Sequence, residues 1–388
     1  MAAIVLNGIT WGHSRGITPL LAVSQRYSEL HPDIEIHWHK RSLQEFADYP
    51  IEKLTREYDL LVIDHPWVGR AAATRCVLPL EQYLSTEYLA DQEINSVGNS
   101  HLSYQYDNHQ WALAIDAATP AASYRKDLLE RNSIRPPVEW GELIELAKTG
   151  RVAVPAIPID LLMNFYTICI ACGQEPFQHN TILVDDATGI FVIETMKQLY
   201  GLIDKEMFGY NPIAVAERMT STNDYWYCPF AYCYTNYSRT GYAPHLLHYQ
   251  DTVSLNGKRL RTTIGGTGLA VSAFCKNKEI AVDFAAIVAS AECQRTMYVQ
   301  HGGQPAHRAA WVNEETNGYT NDFFRSLLPV MENGYMRPRY NGYLYFQDLA
   351  GEPLHRCLLE DGDPAKAIRE MNEIYQQSIL KEQSIIAI

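Results

Sequence analysis

The stretch Trp111–Arg125, WALAIDAATPAASYR, constrains the fold of this chain more than any other. Leu113 and Ile115 alternate with small residues, the chain turns at Thr119-Pro120, and a second extended segment reaches Tyr124 before the basic pair Arg125-Lys126. The pattern reads as a strand that leaves one lobe and enters another. Strand and helix patterns before it complete one α/β unit, and a new unit begins after it. A crossing strand lines the groove between lobes, and such grooves suit small ligands. Asp116, at the end of the first strand, would point its carboxylate into that groove.

Length agrees with two lobes, since 388 residues exceed one ordinary core. With 47% hydrophobic and 20% charged residues, the composition is that of a folded soluble protein. A net charge of -13 argues against a phosphate-backbone partner, so no nucleic acid is expected. No run of eighteen apolar residues occurs, and no membrane insertion is expected. Met1-Ala2-Ala3 runs straight into the apolar Ile4-Val5-Leu6, without the basic region and cleavage site of a secretory signal. The expected address is therefore cytoplasmic, or periplasmic or extracellular for a mature, trimmed chain. The eight cysteines are scattered among apolar neighbours and read as buried thiols.

In chain order, Ile4–Trp11 reads as a buried strand followed by the loop Gly12–Gly16. A helix is expected from Thr18-Pro19, with Leu20, Val23, Tyr27 and Leu30 on its inner face. Ile34, Ile36 and Trp38 then alternate with Glu35, His37 and His39, the period of a half-exposed strand. Strand, helix and strand imply a parallel pair. A second helix is expected from Leu43 to Leu54, and Asp59–Asp64 is a third buried strand ending in His65-Pro66-Trp67. In an open parallel sheet that end is the carboxyl edge, where ligands bind. Helices are expected at Asp127–Asn132, after Pro136-Pro137, around Ile280–Val288, after the Ser290 cap and from Asp363-Pro364. Residues 150–250 are helix-rich and aromatic. The glycine-rich Thr262–Gly268 reads as a turn that opens the strand Leu269-Ala270-Val271.

Four blocks in this order resemble the family 1 extracellular solute-binding proteins, the substrate receptors of sugar-type ABC importers. They are DLLVID with LPLEQYL; ALAIDAATPAASYRKDLLERNSIRPPVEWGELIELAK; IGGTGLAVSAFCKNKEIAVDFAAIVASAECQ; and HGGQPAHRAAW. The resemblance implies an α/β, two-lobed periplasmic-binding-protein-like fold of type II, with a ligand cleft between lobes joined by a hinge. It places lobe 1 at residues 1–115 and 265–311 and lobe 2 at 116–264 and 312–388. It further implies a monomer that traps a small polar ligand by hinge closure and presents it to an ABC permease, with no cofactor.

A sugar offers hydroxyl edges and weakly apolar C–H faces, so its sites combine aromatic rings with carboxylates, amides and arginines. The fold would aim such groups at the cleft from several loops. Trp11, His13 and Arg15 follow the first strand; Asp64, His65 and Trp67 follow the third; Asp116 lies on the crossing strand. Tyr225 and Trp226 fall in the aromatic middle, Gly265 and Gly266 would let backbone amides approach a ligand, and Arg308 follows the second hinge. Each has a structural counterpart: Trp11 and Trp67 as core aromatics, Asp64 as a helix cap, Asp116 as a hinge hydrogen-bonding group. Two other functions stay open. Trp and Tyr beside carboxylates also hold betaine-like cations, and His13 with Asp64 and Asp116 could support acid–base catalysis by a cytoplasmic enzyme. Cys169 and Cys172 form a lone CxxC, too few ligands for a structural zinc site, and the glycines lack the Lys-Ser/Thr of a phosphate loop.

Overall fold

The computed structural model describes residues 4–42, 51–179 and 181–385. They fall into two compact units, one within Met1–Ala118, Ile264–Thr320 and Arg339–Asn341, the other within Thr119–Thr263, Asn321–Pro338 and Gly342–Ile388. The first unit opens with β1 (Ile4–Trp11), α1 (Ser14–Leu30), β2 (Ile34–Arg41), α2 (Ile51–Glu57), β3 (Leu60–Ile63), α3 (Val68–Thr74), α4 (Thr86–Ile94) and β4 (Leu113–Ala118). The second holds β5 (Pro120–Tyr124), α5 (Lys126–Arg131), α6 (Trp140–Ala147), α7 (Pro158–Ala171), α8 (Asp186–Tyr200), α9 (Pro212–Ser221), β6 (Tyr227–Tyr232) and β7 (His248–Gln250). The chain then returns through β8 (Gly265–Val271), α10 (Lys278–Ala289), α11 (Arg308–Trp311) and α12 (Glu314–Tyr319). It ends in α13 (Phe323–Glu332), α14 (Tyr343–Glu360) and α15 (Pro364–Ile385) of the second unit. Residues 43–50 of the expected second helix lie outside the described residues.

The sheet of unit 1 runs β2-β1-β3-β8-β4. β1 pairs parallel with β2 and β3, as the strand–helix–strand pattern predicts. β8 is antiparallel to both β3 and β4. The carboxyl ends of β1, β3 and β4 therefore share one edge with the amino end of β8. All four residues of β3 are buried, as befits a central strand covered on both faces. Leu6, Leu20, Val23, Tyr27, Val62 and Phe284 are among the core residues that pack around it.

Three local expectations change. Helix α1 begins at Ser14 because the His13 side chain accepts from the Arg15 N–H, so Pro19 lies inside the helix, forgoing the bond to the Arg15 carbonyl. Leu30, expected inward, is exposed. Strand β8 begins at Gly265 rather than Leu269, and the glycines are strand residues. Gly266 has φ +102°, and a Cβ there would lie 2.1 Å from the Asp116 carbonyl oxygen, so only glycine permits this approach of β8 to β4.

Unit 2 is built on the antiparallel sheet β6-β5-β7. Arg125, fully buried just after β5, ties this sheet to its helices. Its Nη1 donates to the Met219 and Thr222 carbonyls, both at 2.8 Å, where α9 ends. Its Nε and Nη2 grip Asp127 at 2.7 and 2.8 Å, and Nη2 also donates to Asn223 Oδ1. The last carbonyls of a helix have no partner within it, and here one guanidinium supplies donors for that of Met219 and for the carbonyl of the capping Thr222.

Asp160 lies in the first turn of α7, only 6% exposed, and its Oδ2 has no partner among the described residues. Burial pushes its carboxyl from 3.8 up to about 8. A raised folded-state value means that the folded form holds the proton more tightly. The resulting stabilisation is complete at acid pH and is lost as pH rises through the window from about 4 to about 8. Asp160→Asn, neutral throughout, is expected to melt higher than the parent chain, with a gap that widens between pH 5 and pH 8. A pH-independent gap in thermal melts would remove the carboxyl from this account.

All eight cysteines are unbridged, seven of them buried and Cys172 partly so. Burial raises the Cys169 thiol well above its ordinary value, which suits a packed side chain rather than a reactive one.

Candidate functional site

The topology of unit 1 brings most of the candidate residues to one sheet edge. Trp11 ends β1, Asp64, His65 and Trp67 follow β3, Asp116 lies near the end of β4, and Gly265 and Gly266 open β8. They share the edge because β1, β3 and β4 point the same way while β8 runs against them. This is where strand ends leave backbone and loops to face a ligand.

Within that edge the side chains take different parts. Asp64 caps the single turn His65–Trp67, accepting from the His65 N–H at 2.8 Å, and its Oδ1 lies 3.2 Å from His65 Nδ1. Its side chain nevertheless remains a quarter exposed, whereas His65 is buried and stands edge-on to Tyr104 at 6.5 Å. Tyr104 fixes this corner by donating to the Ile63 carbonyl at 3.2 Å. Trp67 is 9% exposed. Trp11 belongs to the hydrophobic core and lies across Gly16, where a Cβ would come within 2.4 Å of the indole.

Arg15 and Asp116 are spent on each other. Arg15 Nε donates to Asp116 Oδ2 at 2.8 Å and Nη2 to Oδ1 at 2.5 Å, a bidentate pair with both residues buried. Burial pushes the Asp116 carboxyl up, and the guanidinium opposes that push. The neighbouring His13 is driven down to about 4, first by burial and then by the Arg15 charge. It is a neutral ring at physiological pH, and the Nδ1 that accepts from Arg15 leaves the proton on Nε2.

Three candidates lie elsewhere. Arg308 opens α11, and its N–H donates to the Asn95 carbonyl at 2.7 Å. Tyr225 and Trp226 precede β6 in unit 2. The pairing of Tyr227 with Tyr124, and of Tyr232 with Pro120, puts them at the end of that sheet remote from Pro120, where the chain enters the unit. There Tyr225 donates to Asp204 at 2.5 Å and to Glu206 at 2.8 Å. Trp226 donates to the Asn223 carbonyl and lies against the Arg151 guanidinium.

The entry end of the unit 2 sheet carries groups that the sequence did not single out for ligand contact. Tyr232 and Thr263 share a hydrogen bond of 2.9 Å, and Thr119 and Thr262 one of 2.7 Å. Tyr335 bridges to Thr263, and Arg337 donates to Gln347 at 2.9 Å. Only the order of the strands reveals this cluster, because its members are scattered from Thr119 to Gln347. No group of three or more His, Cys, Asp or Glu among the described residues is placed to hold a metal ion. No described helix is long and apolar enough to cross a membrane.

Comparison with solved structures finds the same fold over nearly the whole chain. T. maritima MalE3 with maltose bound superposes with a TM-score of 0.85 at 18% identity, covering 96% of this chain and 99% of that one. An ABC transporter solute-binding protein from Agrobacterium radiobacter K84, in complex with ribitol, gives 0.83 at 17%, covering 96% and 98%. One from Thermotoga lettingae TMO, bound with α-D-tagatose, gives 0.81 at 15%, covering 97% and 100%. No curated protein matches the sequence. The sequence description of the bacterial extracellular solute-binding proteins matches residues 50–310. With that match over most of its length and this two-lobed α/β fold, the chain belongs to the bacterial extracellular solute-binding proteins.

Proposed function

We propose that this protein captures a carbohydrate or polyol outside the cytoplasm, closes on it by hinge motion, and delivers it as a monomer to an ABC permease. The carrying observation is the carboxyl edge of the unit 1 sheet, where a part-exposed carboxylate, Asp64, stands three residues from the ring of Trp67. A carboxylate takes hydroxyl protons and an indole covers C–H faces, the two surfaces that a sugar or polyol presents. The bound maltose, ribitol and tagatose of the similar structures support the same class. Capture follows from differential affinity: a ligand shifts a hinge equilibrium only as far as it binds one state better.

Binding without chemistry is the favoured reading of this edge. Acid–base catalysis would call on His13, Asp64 and Asp116. His13 accepts from a backbone N–H, and both Asp116 oxygens are held by Arg15.

The test is calorimetric titration with maltose, ribitol, tagatose and glycine betaine, with mass spectrometry of the final mixtures. A hydroxylated ligand is expected to bind and to be recovered unaltered; converted ligand would establish an enzyme. Trp67→Ala and Asp64→Asn are each expected to weaken binding about tenfold to a hundredfold, the loss of one well-placed contact. Tyr225→Phe, at the remote end of the other sheet, is expected to change nothing. Equal affinity in Trp67→Ala, Asp64→Asn and the parent chain would discard the proposed edge.

A further inference from the structure

We propose that Cys169 and Cys172 form a modification site, a thiol pair that an external disulfide converts into an intrachain disulfide at the end of α7. The site uses no residue of the solute edge and stands or falls apart from solute capture. Cys172 is the one thiol of the eight that is not buried, and so the one that a reagent in solution can reach. One helical turn back lies Cys169, which is 0% exposed. Cys169 cannot meet such a reagent itself, but it stands next to the sulfur that does. Residues three apart on a helix share a face, with Cα atoms about 5 Å apart. A disulfide spans Cα separations of about 4.4–6.8 Å, so the helix already holds the two cysteines at a suitable distance.

The helix end also gives the pair room to close. Cys172 is the cap residue of α7, Gly173 follows with φ +96°, and the Gln174 N–H donates to the Cys169 carbonyl at 3.1 Å. This is the left-handed glycine ending of a helix. The Cβ atoms of such a pair start about 5–6 Å apart and a disulfide brings them to about 4 Å, a movement open to a cap residue and closed to one inside a helix. Lys258, on the hairpin Ser254–Arg259, brings a positive charge to this end, since a Cβ on Gly173 would lie 3.8 Å from its Nζ. Burial raises the Cys172 thiol, and the Lys258 ammonium opposes that push in favour of the attacking thiolate. The Cys172 thiolate attacks an external disulfide R–S–S–R, forming Cys172–S–S–R and releasing R–S⁻, which takes up the Cys172 proton. Cys169 then attacks the Cys172 sulfur, and its proton leaves with the second R–S⁻. Both cysteines are oxidised and the reagent is reduced to two molecules of R–SH. Such disulfides act in the oxidising compartments outside the cytoplasm. The segment that leaves this helix carries Glu175, paired with Arg261 at 2.7 Å, and Pro176, whose carbonyl accepts from the Tyr335 hydroxyl at 3.4 Å. The bridge pins the root of that segment.

The folded parent chain is incubated with oxidised glutathione, the remaining thiols are alkylated in urea, and the protease digest is weighed by mass spectrometry. Expected is a peptide in which Cys169 and Cys172 are joined, with the other six of the eight cysteines alkylated. Circular dichroism of the oxidised chain is expected to match that of the reduced one. Cys172→Ser should take up no glutathione, and Cys169→Ser should stop at a glutathione adduct on Cys172. A folded parent chain whose Cys172 is still alkylated after oxidation overturns the proposal. So does an adduct on Cys172 that never resolves to the bridge, a bridge that forms only in urea, or glutathione on any other cysteine of the folded chain. Cys169 lies in the core, so a Cys169→Ser chain that fails to fold leaves the decision to the parent and to Cys172→Ser, whose substitution is at the half-buried position.

Discussion

Asp116→Ala is expected to destabilise unit 1 by about 3–5 kcal/mol, the usual cost of removing one partner of a buried ion pair. Arg15 is 4% exposed and directs two N–H groups at this carboxylate, so the substitution takes a bidentate counter-charge from a buried guanidinium. The pair joins the first turn of α1 to β4 across 101 residues of sequence, and its loss loosens the edge that carries Asp64 and Trp67. Replacing both partners, as Arg15→Met with Asp116→Leu, is expected to recover much of the loss, because no charge remains buried. Urea unfolding of the two single variants and the double variant measures this as a cycle. A double variant no more stable than the singles would refute the account. So would an Asp116→Ala variant as stable as the parent, which would return Asp116 to the role of a ligand carboxylate.

Arg125→Met is expected to do comparable damage in unit 2. The side chain is fully buried, and methionine would fill much of its volume while removing every donor. The Met219 and Thr222 carbonyls would lose their partner, at about 1–3 kcal/mol each for a buried acceptor. Asp127 would lose its fork as well, though it is half exposed and that pair contributes little. The urea midpoint should therefore fall steeply, and protease cleavage should appear first near residues 219–223. Arg125→Lys keeps the charge but cannot reproduce the fork that meets two carbonyls and two side chains, so it should also lose most of the stability. A lysine variant as stable as the parent would show that charge, and not the fan of donors, is what matters.

The sequence was legible where periodicity and strand order act locally. The alternation Ile34-Ile36-Trp38 and the apolar run Leu60–Ile63 dictate strands, and the parallel strand–helix–strand rule then places Asp64 and Trp67 at the carboxyl edge without further information. Long-range pairing was not legible. Nothing near Asp116 marks Arg15 as its partner, so a carboxylate on a crossing strand looked free for a ligand. Tyr225 and Trp226 looked equally apt by composition. Their position depends on β6 pairing antiparallel with β5, which sends the start of β6 away from Pro120. Gly265 and Gly266 read as a turn because glycine is the usual turn residue, whereas the demand came from backbone contact with the neighbouring strand. Helices α13 and α14 lack the usual start signals: neither Asp322 nor Gly342 makes a side-chain cap bond, and each helix contains a proline.

The position of β8 also sets a timetable for folding. It lies between β3 and β4, and those strands touch each other only through it. While the ribosome has delivered only the first 118 residues, β4 has no neighbour to hydrogen-bond, and the first sheet ends at β3. About two thirds of the second unit must emerge before Gly265–Val271 arrives to close the gap. Such non-local pairing slows folding, because loop-closure entropy is spent before any contact repays it. The amino-terminal third of the chain therefore waits, with an unpaired strand edge, for a segment made long afterwards. Its early life depends on whatever shields that edge from other chains.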